Sequence, residues 1–576
     1  MNDDRQIGDS FPDYYHRAMA IVPGYKELFG VSATFEGLLE IVLKYSLTEW
    51  LSYLSRIQTL ITPPYAEDPE RHAALYKAVI GDRVADRLVA FEKKHDSRSR
   101  ILTFVEPQVA TLQQLVILHA PEGNTATFDC DSGRDDLSVA LLMTWELMHA
   151  SDDPQTADET FASLMQDFSR HPGEAPDTLA GRAFAMYQID KAKPTPAVAE
   201  LRRLFRDSTA EELSDYLIGG FSIAVREQHK SVEDTASGWQ PIPSQDQCSN
   251  PLEARCLAAF HKLRCSEVDD LRFRIKEFDG HRAINDWSLI ALLKSPIVEL
   301  SNKRRFILGL SSLGRALFDG VRHALLTEAR PLVDPKKLGA LYGGVFEDYV
   351  LEILRAAFGD RLIRLPPSDV PGEERADAIV VYPRRVVVLE IKSSHYVGTE
   401  HKGLLSIEER VAELGRLGIT KGASQIADTI RALRRYGIPG IGLPEYDWTT
   451  TTIVPVIVTK EKIPLVWGLR RVYEPLLADI LNLPLHDQIC PTRFISIADV
   501  EGIPDLARRT EFADVLIQWA SDTTSQECPL SHYLTRQNMS VTRQHFWKHS
   551  VLPMMELLIQ HFGLDRAKVP NLDRRP

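Results

Sequence analysis

Between residues 376 and 392 the hydrophobic pattern of this chain changes character. Ala376-Asp377-Ala378-Ile379-Val380-Val381-Tyr382 and Val386-Val387-Val388-Leu389-Glu390-Ile391-Lys392 are apolar runs rich in β-branched side chains, and the short turn Pro383-Arg384-Arg385 joins them. The pair predicts a β-hairpin. Alternation places Val388, Glu390 and Lys392 on one face of the second strand and Val387, Leu389 and Ile391 on the other. A carboxylate and an ammonium therefore enter a strand that is otherwise built for burial, which apolar packing alone does not explain.

The flanking segments follow the helical period instead. Over 343–358, Phe346, Val350, Ile353 and Ala357 form one stripe. Glu347 lies beside that stripe and faces the body of the domain, whereas Asp348 and Glu352 turn toward solvent. A second helix is predicted over 422–431, carrying Gln425. Further strands are expected at 362–365, 452–458 and 493–497, with a helix at 473–481 between the last two. This α-β-β-β-α-β order predicts an α/β core over 335–505, a mixed central sheet flanked by helices.

The rest of the chain reads as helix. Residues 1–120 form a helical N-terminal region with helices at 35–53 and 73–91 and a Pro63-Pro64 break between them. A polar, Gly- and Asp-rich stretch at 121–136 leads to a second helical block at 137–228. Residues 229–252, punctuated by Gly238, Pro241, Pro243 and Pro251, predict a linker or long loop. A helical connector follows at 253–334, and C-terminal helices at 506–576 are expected to pack on the α/β core.

Composition sets outer limits. The 576 residues are too many for one core and suggest about three or four folding units. Apolar content of 44% and charged content of 26% are those of an ordinary globular protein. The acidic, polar N-terminus lacks a secretory signal pattern, and no run of apolar residues is long enough to span a bilayer, so a cytoplasmic protein with no membrane contact is expected. Six cysteines without a CxxC pair fit reduced thiols. Cys256, His261 and Cys265 fall within ten residues, and His545 and His549 have helical i,i+4 spacing, but neither set has the further ligands of a zinc site.

The net charge of −13 is unevenly spread. Residues 1–300 carry about −16 and residues 301–576 about +3, with 301–440 near +5. The acidic front half suits contacts with a protein partner or a second copy of the chain. In the α/β region, Lys303-Arg304-Arg305, Arg384, Arg385, Arg431, Arg434 and Arg435 are candidate phosphate contacts for nucleic acid. No GxxxxGK[ST] phosphate loop and no G-x-S-x-G elbow occurs in the sequence.

Two carboxylates from adjacent strands can hold a hard divalent cation such as Mg²⁺, leaving other positions to water and phosphate. A lysine two residues after the second carboxylate projects from the same face, where it can orient a water and offset charge on a phosphodiester. The order Glu347, Asp377, then Glu390-Ile391-Lys392 resembles the signature of the PD-(D/E)XK nuclease superfamily, the restriction-endonuclease-like fold, over roughly 335–505. Alanine stands at 376 where the signature has proline.

That resemblance implies Asp377 and Glu390 as metal ligands, Lys392 as a catalytic residue, Glu347 as a supporting ligand and the Ile391 carbonyl as one more. It also implies Gln425 as a substrate-facing residue, with Thr429 where some branches have tyrosine. The function it implies is a Mg²⁺- or Mn²⁺-dependent nuclease, DNA favoured, in a defence or restriction-like setting. The alternative is a non-catalytic nuclease-fold scaffold that binds nucleic acid or protein partners.

Overall fold

The computed structural model describes residues 24–61, 79–94, 105–149, 174–228, 250–279, 290–328, 333–394, 418–435, 450–460, 488–522, 529–539 and 541–562, with a few isolated positions between them. The predicted helix at 473–481, the Pro63-Pro64 break and most of the predicted linker lie outside these residues. The described chain is mostly helical, with two mixed sheets. Among the described residues no helix is long and apolar enough to cross a membrane.

Two departures from the predicted helices have local causes. The segment 35–53 is two helices, Phe35–Lys44 and Leu47–Ile61, rather than one. Tyr45 between them is extended, pairs with Ala126 in an isolated bridge, and stacks on Phe128 at 4.1 Å between ring centroids. Aromatic packing thus outcompetes continuation of the helix. The polar stretch 121–136 ends early, because Asp131 opens the helix Asp131–His149. Similarly, the end of the predicted linker is a helix start. The side chain of Asn250 accepts from the amide of Leu252 at 2.9 Å, and the helix Pro251–Arg264 follows.

The chain builds two hydrophobic cores. The first gathers the helices of 24–149 with residues 268–308, burying Trp50, Phe128, Leu271, Val298 and Phe306. The second gathers helices Pro176–Met186, Pro196–Thr209, Leu213–Gln228 and Pro251–Arg264 with the α/β region and the C-terminal helices. The block expected at 137–228 is thereby divided, its first helix in one core and its last three in the other. The connector expected to be helical holds a small sheet of β1 (Cys265–Glu267), β2 (Ile297–Glu299) and β3 (Arg305–Ile307), in that order. Alternation makes this sheet the seam, since Ile297 and Ile307 enter the second core while Val298 and Phe306 enter the first.

The larger sheet carries β4 (Leu362–Arg364), β5 (Ala378–Tyr382), β6 (Arg385–Lys392), β7 (Thr452–Thr459) and β8 (Arg493–Ser496) in sequential order. The pairs β4–β5 and β5–β6 are antiparallel, while β6–β7 and β7–β8 are parallel. Both faces are covered, which explains why β6 is a nearly continuous apolar run. Val387, Leu389 and Ile391 join the second core with Val350 and Leu354 of the helix Pro335–Phe358. The other face lies against the helix Ile419–Arg435, which buries Ile419, Ala423, Ile426, Ala427 and Ile430. Each isoleucine among them, fully buried, stabilises by about 1.5–3 kcal/mol. The helix Phe512–Ser521 buries Phe512, Val515, Leu516 and Trp519 in the same core.

Candidate active site

The register of β5 and β6 brings two carboxylates together. Ala378 pairs with Leu389, so Asp377, just ahead of β5, stands opposite Glu390. Its amide donates to the Leu389 carbonyl at 3.1 Å and its carbonyl accepts from Leu365 at 3.0 Å, which continues both ladders by one residue. The Asp377 side chain is held by one main-chain bond, Oδ2 accepting from the Ile391 amide at 2.6 Å. Ile391 therefore touches the site through its backbone, while its side chain lies in the core.

Glu390 is almost wholly buried, at 1% exposure. Its Oε1 accepts from the Lys392 ammonium, and its Oε2 is buried with no hydrogen-bond partner. Burial above all, and then the neighbouring Asp377, push the Glu390 carboxyl up to about 8, against the downward pull of Lys392. Asp377 is raised to about 6, chiefly by burial, with the Ile391 hydrogen bond opposing and Glu347 adding to the rise. Both carboxyls are thus pushed toward their protonated forms, a shift that a bound cation would oppose.

Lys392 is fixed from two sides, donating to Glu390 and, at 2.8 Å, to Oε1 of Gln425. Gln425 in turn donates from Nε2 to the Arg375 carbonyl at 3.4 Å. The helix Ile419–Arg435 thus grips both the lysine and the entry to β5. Thr429, one turn on, completes the grip by accepting from the Ala376 amide at 2.8 Å and donating to the Gln425 carbonyl at 2.8 Å. Alanine at 376 supplies an amide that proline would lack.

Glu347 sits on Pro335–Phe358, partly buried, and takes a different partner. Its Oε1 accepts from Arg364 of β4 at 2.6 Å, and the same guanidinium reaches Asp348 at 3.3 Å. Asp348 is therefore not turned to solvent as expected, whereas Glu352 is exposed and paired with Lys191 at 3.0 Å. Glu347 still raises both Asp377 and Glu390 through its charge, which puts it within electrostatic range of the strand pair.

The arginines disperse. Arg384 and Arg385 stand at the opposite end of β6, and Arg385 is ion-paired with Glu511 and Asp514. Five residues separate Arg385 from Glu390, about 17 Å of strand. Arg431, Arg434 and Arg435 occupy the C-terminal end of the Gln425 helix, six to ten residues beyond Gln425, on the order of 9–15 Å. Arg431 pairs with Asp428, and Arg435 is exposed. Lys303 and Arg305, near the seam, pair with Glu299.

Two contributors escaped the sequence reading. A Cβ on Gly422 would meet Glu390 Cγ and Lys392 Cε at 3.1 Å each, so glycine lets the helix approach the two charged stems. A glycine inside a helix costs about 1 kcal/mol relative to alanine, and that penalty was the available signal. Thr429, fully buried on the strand-facing side of its helix, was visible only as a departure from tyrosine.

A hard divalent cation fits the strand pair on the chemistry of its donors. The unpartnered Glu390 Oε2 and two carboxyls held high by burial and mutual repulsion both call for positive charge. Among the described residues no group of three or more His, Cys, Asp or Glu side chains gathers closely enough to hold a metal, so two carboxylates would be the protein's share, with Glu347 turned to Arg364. The other candidates are structural: Cys256 is buried 3.7 Å from Asp215, His261 Nδ1 lies 3.0 Å from Arg305, and the His545 and His549 rings lie 4.3 Å apart between centroids, tilted by 39°. Comparison with known proteins finds no protein family, curated protein or solved structure that matches the chain.

Proposed function

We propose that this chain is a Mg²⁺- or Mn²⁺-dependent nuclease of the PD-(D/E)XK kind that hydrolyses phosphodiester bonds, with DNA the favoured substrate. The observation that carries the reading is the pair of buried, under-neutralised carboxylates Asp377 and Glu390 beside a lysine held in place by Gln425. A five-stranded mixed sheet covered by helices on both faces supports it.

Asp377 and Glu390 would hold the cation, with the Ile391 carbonyl as the family resemblance implies and Glu347 contributing through charge or a bridging water. The cation, when bound, stabilises negative charge on the phosphodiester and lowers the pKa of a water. Lys392 stands ready to orient that water and to balance charge building on the phosphate oxygens. Gln425 fixes the direction of the ammonium, and Thr429 and Gly422 set the distance between helix and strands. The acidic helical front half acts as a sensor for a partner or a second copy, in a defence or restriction-like role.

The test is cleavage of plasmid, linear duplex, single-stranded DNA and RNA by the full chain in Mg²⁺ or Mn²⁺. Asp377→Asn and Glu390→Gln should each remove several kcal/mol of transition-state stabilisation, about a thousandfold in rate. Wild-type rates in either variant would remove that residue from the site. A scaffold without catalysis is the second reading, and it draws on the occupation of Glu390 Oε1 by Lys392. Mn²⁺ titration separates the two: on the nuclease reading the wild type binds, Lys392→Ala binds but does not cleave, and Asp377→Asn does neither.

A further inference from the structure

A further cation stands at the candidate active site, where β4 meets the Glu347 helix. Arg364 ends β4 opposite Ala378 of β5, and the next residue, Leu365, donates its amide to the Asp377 carbonyl at 3.0 Å. The Arg364 guanidinium bonds Glu347 Oε1 through Nη2 at 2.6 Å and Asp348 Oδ1 through Nη1 at 3.3 Å. It is near enough to Asp377 to act on that carboxyl through its charge. Two consecutive residues of one helix thus take one N–H from each terminal nitrogen, and the remaining N–H donors of the fork have no partner among the described residues. The side chain is half exposed.

A phosphodiester approaching Asp377 and Glu390 needs such a donor. Glu347 and Asp348 add two carboxylates to the strand pair, and the Lys392 ammonium is already bonded to Glu390 and Gln425. The arginines at 384–385 and 431–435 lie far along their elements. Arg375, two residues before Asp377, is nearly buried and turned to the Pro366 and Pro367 carbonyls at 3.5 Å. A guanidinium offers phosphate a planar fork, and one whose plane is fixed beforehand loses little freedom on binding.

We infer that Arg364 is a substrate-contact residue of the carboxylate site, donating to a non-bridging oxygen of the DNA backbone at or next to the phosphodiester being cut. Glu347 and Asp348 hold it ready. This role rests on the nuclease reading of Asp377 and Glu390 for the bond that is cut, and on the guanidinium geometry for the phosphate contact itself. Metal and substrate then meet Arg364 with opposite signs: it repels a cation at Asp377 and attracts the phosphate that must approach that cation.

Two titrations of the full chain test this, and neither reads cleavage. Fluorescence anisotropy with a labelled short DNA duplex in chelator gives duplex affinity over a range of salt, and calorimetry with Mn²⁺ alone gives metal affinity. Arg364→Gln should weaken duplex binding about tenfold and lower the slope of log affinity against log salt by about one, the share of one phosphate contact. The same variant should bind Mn²⁺ about twofold more tightly or better, because a like charge has left the cation's surroundings. Arg364→Lys should restore the salt slope without the full affinity, since it keeps the charge and loses the fork. An arginine that only supports the fold would weaken both ligands together. That result, wild-type duplex affinity and slope in Arg364→Gln, or no duplex binding by the wild type would each overturn the assignment. Failure of the nuclease reading shows separately, as a wild-type chain that binds no Mn²⁺. The duplex titrations would then still decide whether Arg364 is a phosphate contact, on a scaffold that binds DNA without cutting it.

Discussion

Two clusters of buried carboxylates, one at the Pro176–Met186 helix and one on the β6 face that meets the helix Ile419–Arg435, are resolved in opposite ways. In one, Arg182 is clamped between Glu174 and Glu501 at 2.7 and 2.6 Å, Arg543 adds a contact to Glu174 at 2.9 Å, and Tyr349 donates to Glu501 at 3.0 Å. Burial works to raise the Glu174 carboxyl, but the two guanidiniums outweigh it and hold it well below the usual range. In the other, the Lys392 ammonium bonds Glu390, Asp377 is held by the Ile391 amide, and one Glu390 oxygen is left without a partner. The first cluster is complete as it stands and ties the Pro176–Met186 helix to the region after β8. The second leaves a buried carboxyl oxygen unpartnered, which the proposed cation would satisfy.

Removing charge from the two clusters should therefore move stability in opposite directions. Arg182→Met leaves Glu174 and Glu501 uncompensated in a dry interior and should cost about 3–5 kcal/mol of unfolding free energy. Chemical denaturation measures it, and a loss below about 1 kcal/mol would mean the paired cluster is dispensable.

Glu390→Gln should instead stabilise the metal-free protein. Asp377 and Glu390 titrate near 6 and 8 in the folded chain against 3.8 and 4.5 as their ordinary values, so the folded state holds more protons across that interval. Their favourable contribution is complete below the ordinary values and is lost as pH rises through about 6 and then about 8. Denaturation in chelator between pH 5 and 9 should show wild-type stability falling by on the order of a few kcal/mol relative to Glu390→Gln. A flat difference would show that the carboxyl is not perturbed. Mn²⁺ should restore the wild type at pH 8 and do less for the variant.

The smallest effect is expected at Glu347, whose carboxylate is already bonded to Arg364. Glu347→Gln should lower cleavage about tenfold or less, well short of either strand substitution. Single-turnover rates decide it, and a loss equal to that of Asp377→Asn would make Glu347 a full ligand.

The hairpin, the placing of Asp377 and Glu390 on adjacent strands, and the sharing of one β6 face by Glu390 and Lys392 were legible because they depend on alternation within twenty residues. Strands β1 to β3 were not, since each is three residues long and adjoins segments of helical pattern, with no period of its own to separate it from them. The capture of Glu347 by Arg364 and the grip of Thr429 on Ala376 depend on elements that meet only in the folded chain. Thr429 is instructive, because a hydroxyl in place of a phenol looked like a lost feature and serves as a main-chain clamp. The division into two cores was hidden for the same reason: 268–308 has ordinary helical patterning, and nothing local says which core it joins.

That division constrains how the chain comes off the ribosome. The first core needs Leu271, Val298, Phe306 and Leu308, yet four helices of the second core, from Pro176 to Arg264, are synthesised before them. The N-terminal helices therefore cannot complete their core until about residue 308 has emerged, and until then the faces that receive 268–308 lack their partners. A chain cut at residue 300 would release neither half as a finished unit, and the carboxylate pair at 377 and 390 is assembled only after this early sorting has been done.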